Sequence, residues 1–144
     1  MTNYLQDLNA RLAEGIARLP ETMRARHGRY LTSVQNADGG FSGREGDSDL
    51  YYTGFALRGL AVLDALTPEI CDKAASYLRA CLSKQTSVVD FFSFLYACVL
   101  VQATSGADVL AESAPDWPER VAAALDTFRT ADGGYNKSPG AASG

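Results

Sequence analysis

The phrase Ala-Asp-Gly-Gly followed by an aromatic residue occurs twice, at Ala37–Phe41 and at Ala131–Tyr135. The two copies stand 94 residues apart, and Leu31, Leu78 and Leu125 mark equivalent places in three helical stripes at steps of 47. A recurrence at roughly 20–50 residues marks stacked structural units, none of which can bury its apolar face alone. A chain with this period is committed to an array of repeated helix pairs. The turn itself has a physical logic. Glycine reaches positive φ without a Cβ clash, aspartate hydrogen-bonds the backbone of its own turn, and the following aromatic plugs the gap between neighbouring helices.

The helical stripes fall into two kinds. Leu5, Leu8, Leu12, Ile16 and Leu19 form a one-faced helix ended by Pro20, and Met23, His27, Tyr30, Leu31 and Val34 form a second stripe. After the first Gly-Gly turn, a helix predicted from about Leu50 to Leu66 carries only Thr53, Arg58 and Asp64 as clearly polar residues. A helix apolar on all sides must be covered on all sides. Thr67 then reads as an N-cap with Pro68 at the first helical position. Ile70, Ala74, Tyr77, Leu78, Cys81 and Leu82 make another single stripe, and Asp90 opens a second all-apolar helix. A loop holding Ser105, Gly106 and Pro115 leads to a last stripe of Trp117, Val121, Ala124, Leu125 and Phe128, and residues 132–144 form a Gly-rich tail without a core pattern. One-faced and all-apolar helices thus alternate, which predicts an outer and an inner layer. The expectation is one all-α domain over 1–144, about two and a half repeats. Its middle copy is degenerate: "SKQTSVVD" stands where the first has "NADGGFSGREGDSD".

Composition narrows the function classes. The net charge is −4 with no Lys/Arg cluster, which argues against neutralising nucleic-acid phosphates. The uncharged run Phe91–Val101 is too short to cross a bilayer, which takes roughly 20 residues. The N-terminus, charged every few residues, resembles neither a signal nor a transit peptide. Cys71, Cys81 and Cys98 are odd in number and fall within helical patterns, so they read as buried free thiols of a cytoplasmic protein.

The segments "QNADGGFSGREGDSDLYYTGFALRGLAVL" and "RTADGGYNKSPG" resemble the prenyltransferase and squalene-cyclase repeat superfamily. They look most like the β subunits of protein farnesyl- and geranylgeranyltransferases. The resemblance implies an α/α toroid in which a prenyl group passes from its diphosphate to a protein cysteine, with zinc binding the thiolate and a partner α subunit. Asp49 sits at the family Asp position, but Tyr51 stands where the family has its zinc-binding Cys and Tyr52 where its "Y-H-T" has His. Phenols are poor zinc ligands beside that set. No zinc is therefore expected in this segment, although a full-length family member would hold one. His27, the only histidine, reads as a core or groove residue. Arg44, in "FSGRE", and Lys137, in the second turn, are the diphosphate-binding candidates by resemblance, with Glu45 and Asp47 opposing an anion beside Arg44. Tyr51, Tyr52, Phe55, Phe91 and Phe92 are the candidate lining of an isoprenoid cavity, though ordinary core packing accounts for the same residues.

The first functional expectation is a prenyltransferase-β-like domain that binds or transfers an isoprenoid diphosphate or another apolar-tailed anion. The alternative is a non-catalytic helical repeat module that binds protein or lipid. A terpene-cyclase relative is the third reading, disfavoured because Asp-x-Asp-Asp is absent from the sequence. The recurring turn calls for another inner helix after Gly144, so the chain reads as part of a longer repeat protein. The apolar flank at Leu125 and Phe128 is expected to be covered by a homodimer partner or by the folded-back tail.

Overall fold

The computed structural model describes residues 4–82, 87–113 and 115–138. The described residues form seven helices: α1 Tyr4–Ala17, α2 Glu21–Ser33, α3 Leu50–Val62, α4 Pro68–Cys81, α5 Val88–Ser105, α6 Val109–Ser113 and α7 Trp117–Asp126. The chain is all-α, and its extended pairings among the described residues are two isolated bridges, Gln35 with Phe41 and Arg129 with Tyr135.

The helix ends follow from local chemistry. Thr67 caps α4, its hydroxyl accepting from the Ile70 N–H at 3.5 Å, with Pro68 in the first turn. The α5 helix starts two residues before Asp90, because Ser87 is its cap. The Ser87 hydroxyl accepts from the Asp90 N–H at 3.1 Å and donates to the Asp90 carboxylate at 2.7 Å. The α3 helix stops at Val62, short of the expected Leu66, in a Schellman turn. The Ala65 N–H reaches the Leu60 carbonyl at 2.8 Å and the Asp64 N–H reaches that of Ala61 at 3.1 Å. Asp64 thereby sits at φ 57, the one described non-glycine residue with positive φ. Asp64→Gly should stabilise the fold by about 1 kcal/mol, since it relieves left-handed strain at an exposed site. A urea midpoint that fails to rise would refute this. The α6 helix was not expected; Asp108 caps it through the Ala111 N–H at 2.9 Å, and Val109 and Leu110 are buried.

The α3 and α5 helices make the most extensive of the helix pairings and form the inner layer, and α1 also packs on α3. On the outer side α2 packs on α3, and α4 packs on both α3 and α5. The inner helices are covered on one side only. Thr53, Ala56, Leu57 and Leu60 of α3 are buried, as are Phe91, Phe94, Ala97, Cys98 and Val101 of α5. The opposite face stays open: Phe55 is 55% and Phe92 56% exposed. All-round apolar composition therefore does not mean all-round burial here. By length and composition α5 matches a short membrane span; in this fold its buried face lies against α3 and α4.

The two Asp-Gly-Gly turns share one hydrogen-bond pattern. The Asn36 N–H reaches the Gly40 carbonyl at 2.9 Å and the Thr130 N–H reaches that of Gly134 at 2.9 Å. The Gly40 N–H donates to Asp38 at 3.0 Å, and the Gly134 N–H to Asp132 at 3.1 Å. Gly39 and Gly133 adopt φ 92 and 89. The aromatics differ: Phe41 is 1% exposed and packed within the core, Tyr135 55% exposed. The Thr130 hydroxyl, then the Gly134 N–H, hold the Asp132 carboxyl below the usual carboxylate range.

Of the expected apolar flank, Phe128 is buried and Leu125 half-buried. The Phe128 ring centroid lies 6.4 Å from that of Phe91. The described tail folds back, the Asn136 N–H donating to the Phe128 carbonyl at 2.7 Å and the Val88 N–H to that of Lys137 at 3.0 Å. Residues 139–144 of the Gly-rich tail and 83–86 of the degenerate turn lie outside the described residues. All three cysteines are free and buried, and burial, reinforced by Asp108, pushes the Cys98 thiol up to about 12.

Candidate functional site: an aromatic groove on the inner layer

Helical spacing builds the site. Tyr51, Phe55 and Arg58 share one face of α3, and Phe92, Tyr96 and Val99 repeat the same spacing on α5. Between them runs a groove of about 500 Å³. Tyr51 meets Phe55 edge-on with centroids 4.7 Å apart. The Arg58 guanidinium lies 5.8 Å from the centre of the Tyr96 ring, within cation–π reach. Among the described residues, Arg58 is the one formally charged side chain in the lining. Apolar walls of low dielectric strengthen the pull of such a cation on an anion.

Three of the five aromatic residues expected to line a cavity are in this groove: Tyr51, Phe55 and Phe92. Tyr52 points elsewhere, its ring so close over Gly43 that a Cβ there would stand 3.0 Å from it. Phe91 is buried against Phe128, because it lies one residue, about 100°, around α5 from Phe92. Arg44 is exposed in the loop between the turn and α3, and Lys137 is exposed in the second turn; neither lines the groove. Arg58 was not singled out from the sequence. Its spacing of seven from Tyr51 and three from Phe55 was the signal that could have found it.

The turn end of α3 is acidic. Asp38, Asp47, Asp49 and Asp90 surround Tyr77, whose hydroxyl is pushed well above its usual range by burial, then by Cys81 and by the charges of Asp49 and Asp38. These carboxylates repel an anion at this end of α3, and Arg58 lies two turns further along the helix.

Asp49, Tyr51 and Tyr52, which the resemblance sets at zinc-ligand positions, lie at the start of α3. One Asp49 carboxylate oxygen caps α3, accepting from the Tyr51 N–H at 2.8 Å and the Tyr52 N–H at 3.1 Å. His27 lies instead in a separate aliphatic cleft. Among the described residues no group of three or more His, Cys, Asp or Glu side chains is placed to hold a metal.

Comparison with family models, with curated proteins and with solved structures finds no match for this chain.

Proposed function

We propose that this chain is a prenyltransferase-β-like binding domain, an arc of an α/α toroid whose inner groove holds an isoprenoid diphosphate or a similar apolar-tailed anion. The observation that carries the reading is the groove's composition: aromatic walls contributed by two helices in matching register, with Arg58 as the single formal charge among the described residues. The apolar chain lies along Tyr51, Phe55 and Phe92, and the head meets Arg58. This assigns the head to the Arg58 end of α3, away from the aspartates, and not to Arg44. It is a binding assignment, since the residues at the family zinc positions supply no thiolate-activating set.

Titration with a fluorescent prenyl diphosphate tests it. A hydrogen bond to a charged group contributes roughly 1.5–3 kcal/mol, so Arg58→Ala should weaken binding at least about tenfold. Arg44→Ala should bind like the parent. Absence of binding, or equal binding by Arg58→Ala, overturns the reading and favours a helical scaffold that docks protein on the same exposed aromatics.

A further inference from the structure

A second apolar compartment adjoins the aromatic groove. It is a cleft of about 660 Å³ between α1, α2 and α3, with Leu12, Ile16, Leu31 and Val62 among its walls. Phe55 and Arg58 line both compartments, so they form the join. The two linings differ in kind: tyrosine and phenylalanine dominate one side of the join, leucine, isoleucine and valine the other. Among the described residues of the two linings, Arg58 and His27 are the basic side chains.

The α1 wall is incompletely packed. Although α1 lies against α3, none of its described side chains is buried; Ile16 is half-buried and Leu12 is 40% exposed. Its one-faced stripe thus meets a cleft and not a closed core. A helix with an apolar stripe is stabilised by covering that stripe, and the space under α1 is shaped for more apolar material.

We propose that the site takes a discrete lipid with two apolar chains and one phosphate head, the head on Arg58, one chain in the aromatic groove and the other in the aliphatic cleft beneath α1. The inference rests on the assignment of Arg58 as head anchor under the proposed function and adds the second chain to it. The central position of the cation carries it. A single-chain anion with its head at Arg58 fills one compartment, whereas an anion with a chain on each side fills both. A guanidinium suits such a head because two parallel N–H donors match two phosphate oxygens. On this reading an isoprenoid diphosphate is a partial occupant that uses the aromatic side alone. Leu12, Ile16 and Val62 become specificity residues for the second chain.

The test uses three probes below their aggregation thresholds with the full chain: octyl phosphate, dioctyl phosphate and hexadecyl phosphate. Dioctyl and hexadecyl phosphate have the same number of carbons, so their comparison separates chain arrangement from total apolar area. Dioctyl phosphate should bind at least about tenfold more tightly than either of the others. Val62→Trp, which fills the cleft from the α3 side, should bring dioctyl phosphate to the octyl level and leave octyl phosphate unchanged. Leu12→Ser with Ile16→Ser should lower the dioctyl advantage from the α1 side, and circular dichroism reports whether each variant is folded. If octyl phosphate and prenyl diphosphate bind but dioctyl phosphate gains nothing, or hexadecyl phosphate binds as tightly, the two-chain inference is wrong and the proposed function stands. If none of the amphiphiles binds, both fall.

Discussion

Gly39→Ala is expected to remove cooperative folding, at a cost of about 5 kcal/mol or more. An added Cβ would lie 1.9 Å from the Lys73 carbonyl oxygen and 2.5 Å from its carbon. Those atoms belong to the backbone of α4, so no rotamer change relieves the overlap; the turn and the helix must separate. The backbone at φ 92 adds its own penalty for any L side chain. A cost of this size is comparable with the whole stability of a small domain. Gly133→Ala is the control built into the repeat. Its φ of 89 is nearly the same, but nothing stands within 4 Å of the added Cβ. It should therefore cost only the left-handed strain, about 1–2 kcal/mol. Urea unfolding followed by far-ultraviolet circular dichroism separates the two. Equal losses would mean that Gly39 is needed for its conformation alone and that the close approach to α4 is unimportant.

The repeated turn is thus one local structure in two packing environments, and this explains what could be read from the chain. Turn chemistry is local: Asp38 and Asp132 bond their own turns alike, so the motif announces itself wherever it occurs. Helix caps are equally local, and Thr67 with Pro68 is visible as a helix start without knowledge of anything distant. The period of apolar residues likewise separates helices of one layer from those of the other.

Burial is not local, and there the sequence is ambiguous. Phe91 and Phe92 are the same residue type side by side, yet one fills the core against Phe128 and the other lines the groove. Which becomes which depends on where α3 and the tail lie. Arg58 is hidden for a related reason. Its spacing from Tyr51 and Phe55 places it on their face of α3, but only the facing register of α5 makes it the charged point of a groove. Arg44 stands out through motif resemblance, which reports a position in a turn and not the path of the loop that follows.

Thr53→Val should cost about 2–3 kcal/mol although it hardly changes the side chain's shape. Thr53 is fully buried at the start of α3, and Phe41 is 1% exposed. The Thr53 hydroxyl accepts from the Phe41 N–H at 2.9 Å and donates to the Phe41 carbonyl at 3.4 Å. That carbonyl keeps a second partner, the Asp49 N–H at 2.9 Å, so its loss is small. The N–H is left without the acceptor that Thr53 supplies, and leaving a buried donor unsatisfied costs roughly 1–3 kcal/mol. Thr53→Ser keeps the hydroxyl and removes one methyl group, which should cost only about 1 kcal/mol. The order of the two variants therefore decides between hydrogen bonding and packing. Valine more stable than serine in urea, with unchanged slope, would show that packing dominates and that the hydroxyl is incidental. Hydrogen exchange at the Phe41 amide gives the local readout: it should accelerate in the valine variant beyond the change in global stability, because that amide then has no acceptor. The same bond ties the Gly-Gly turn to the first turn of α3, where Tyr51 enters the groove, so the turn that marks the repeat also holds one end of the aromatic groove in place.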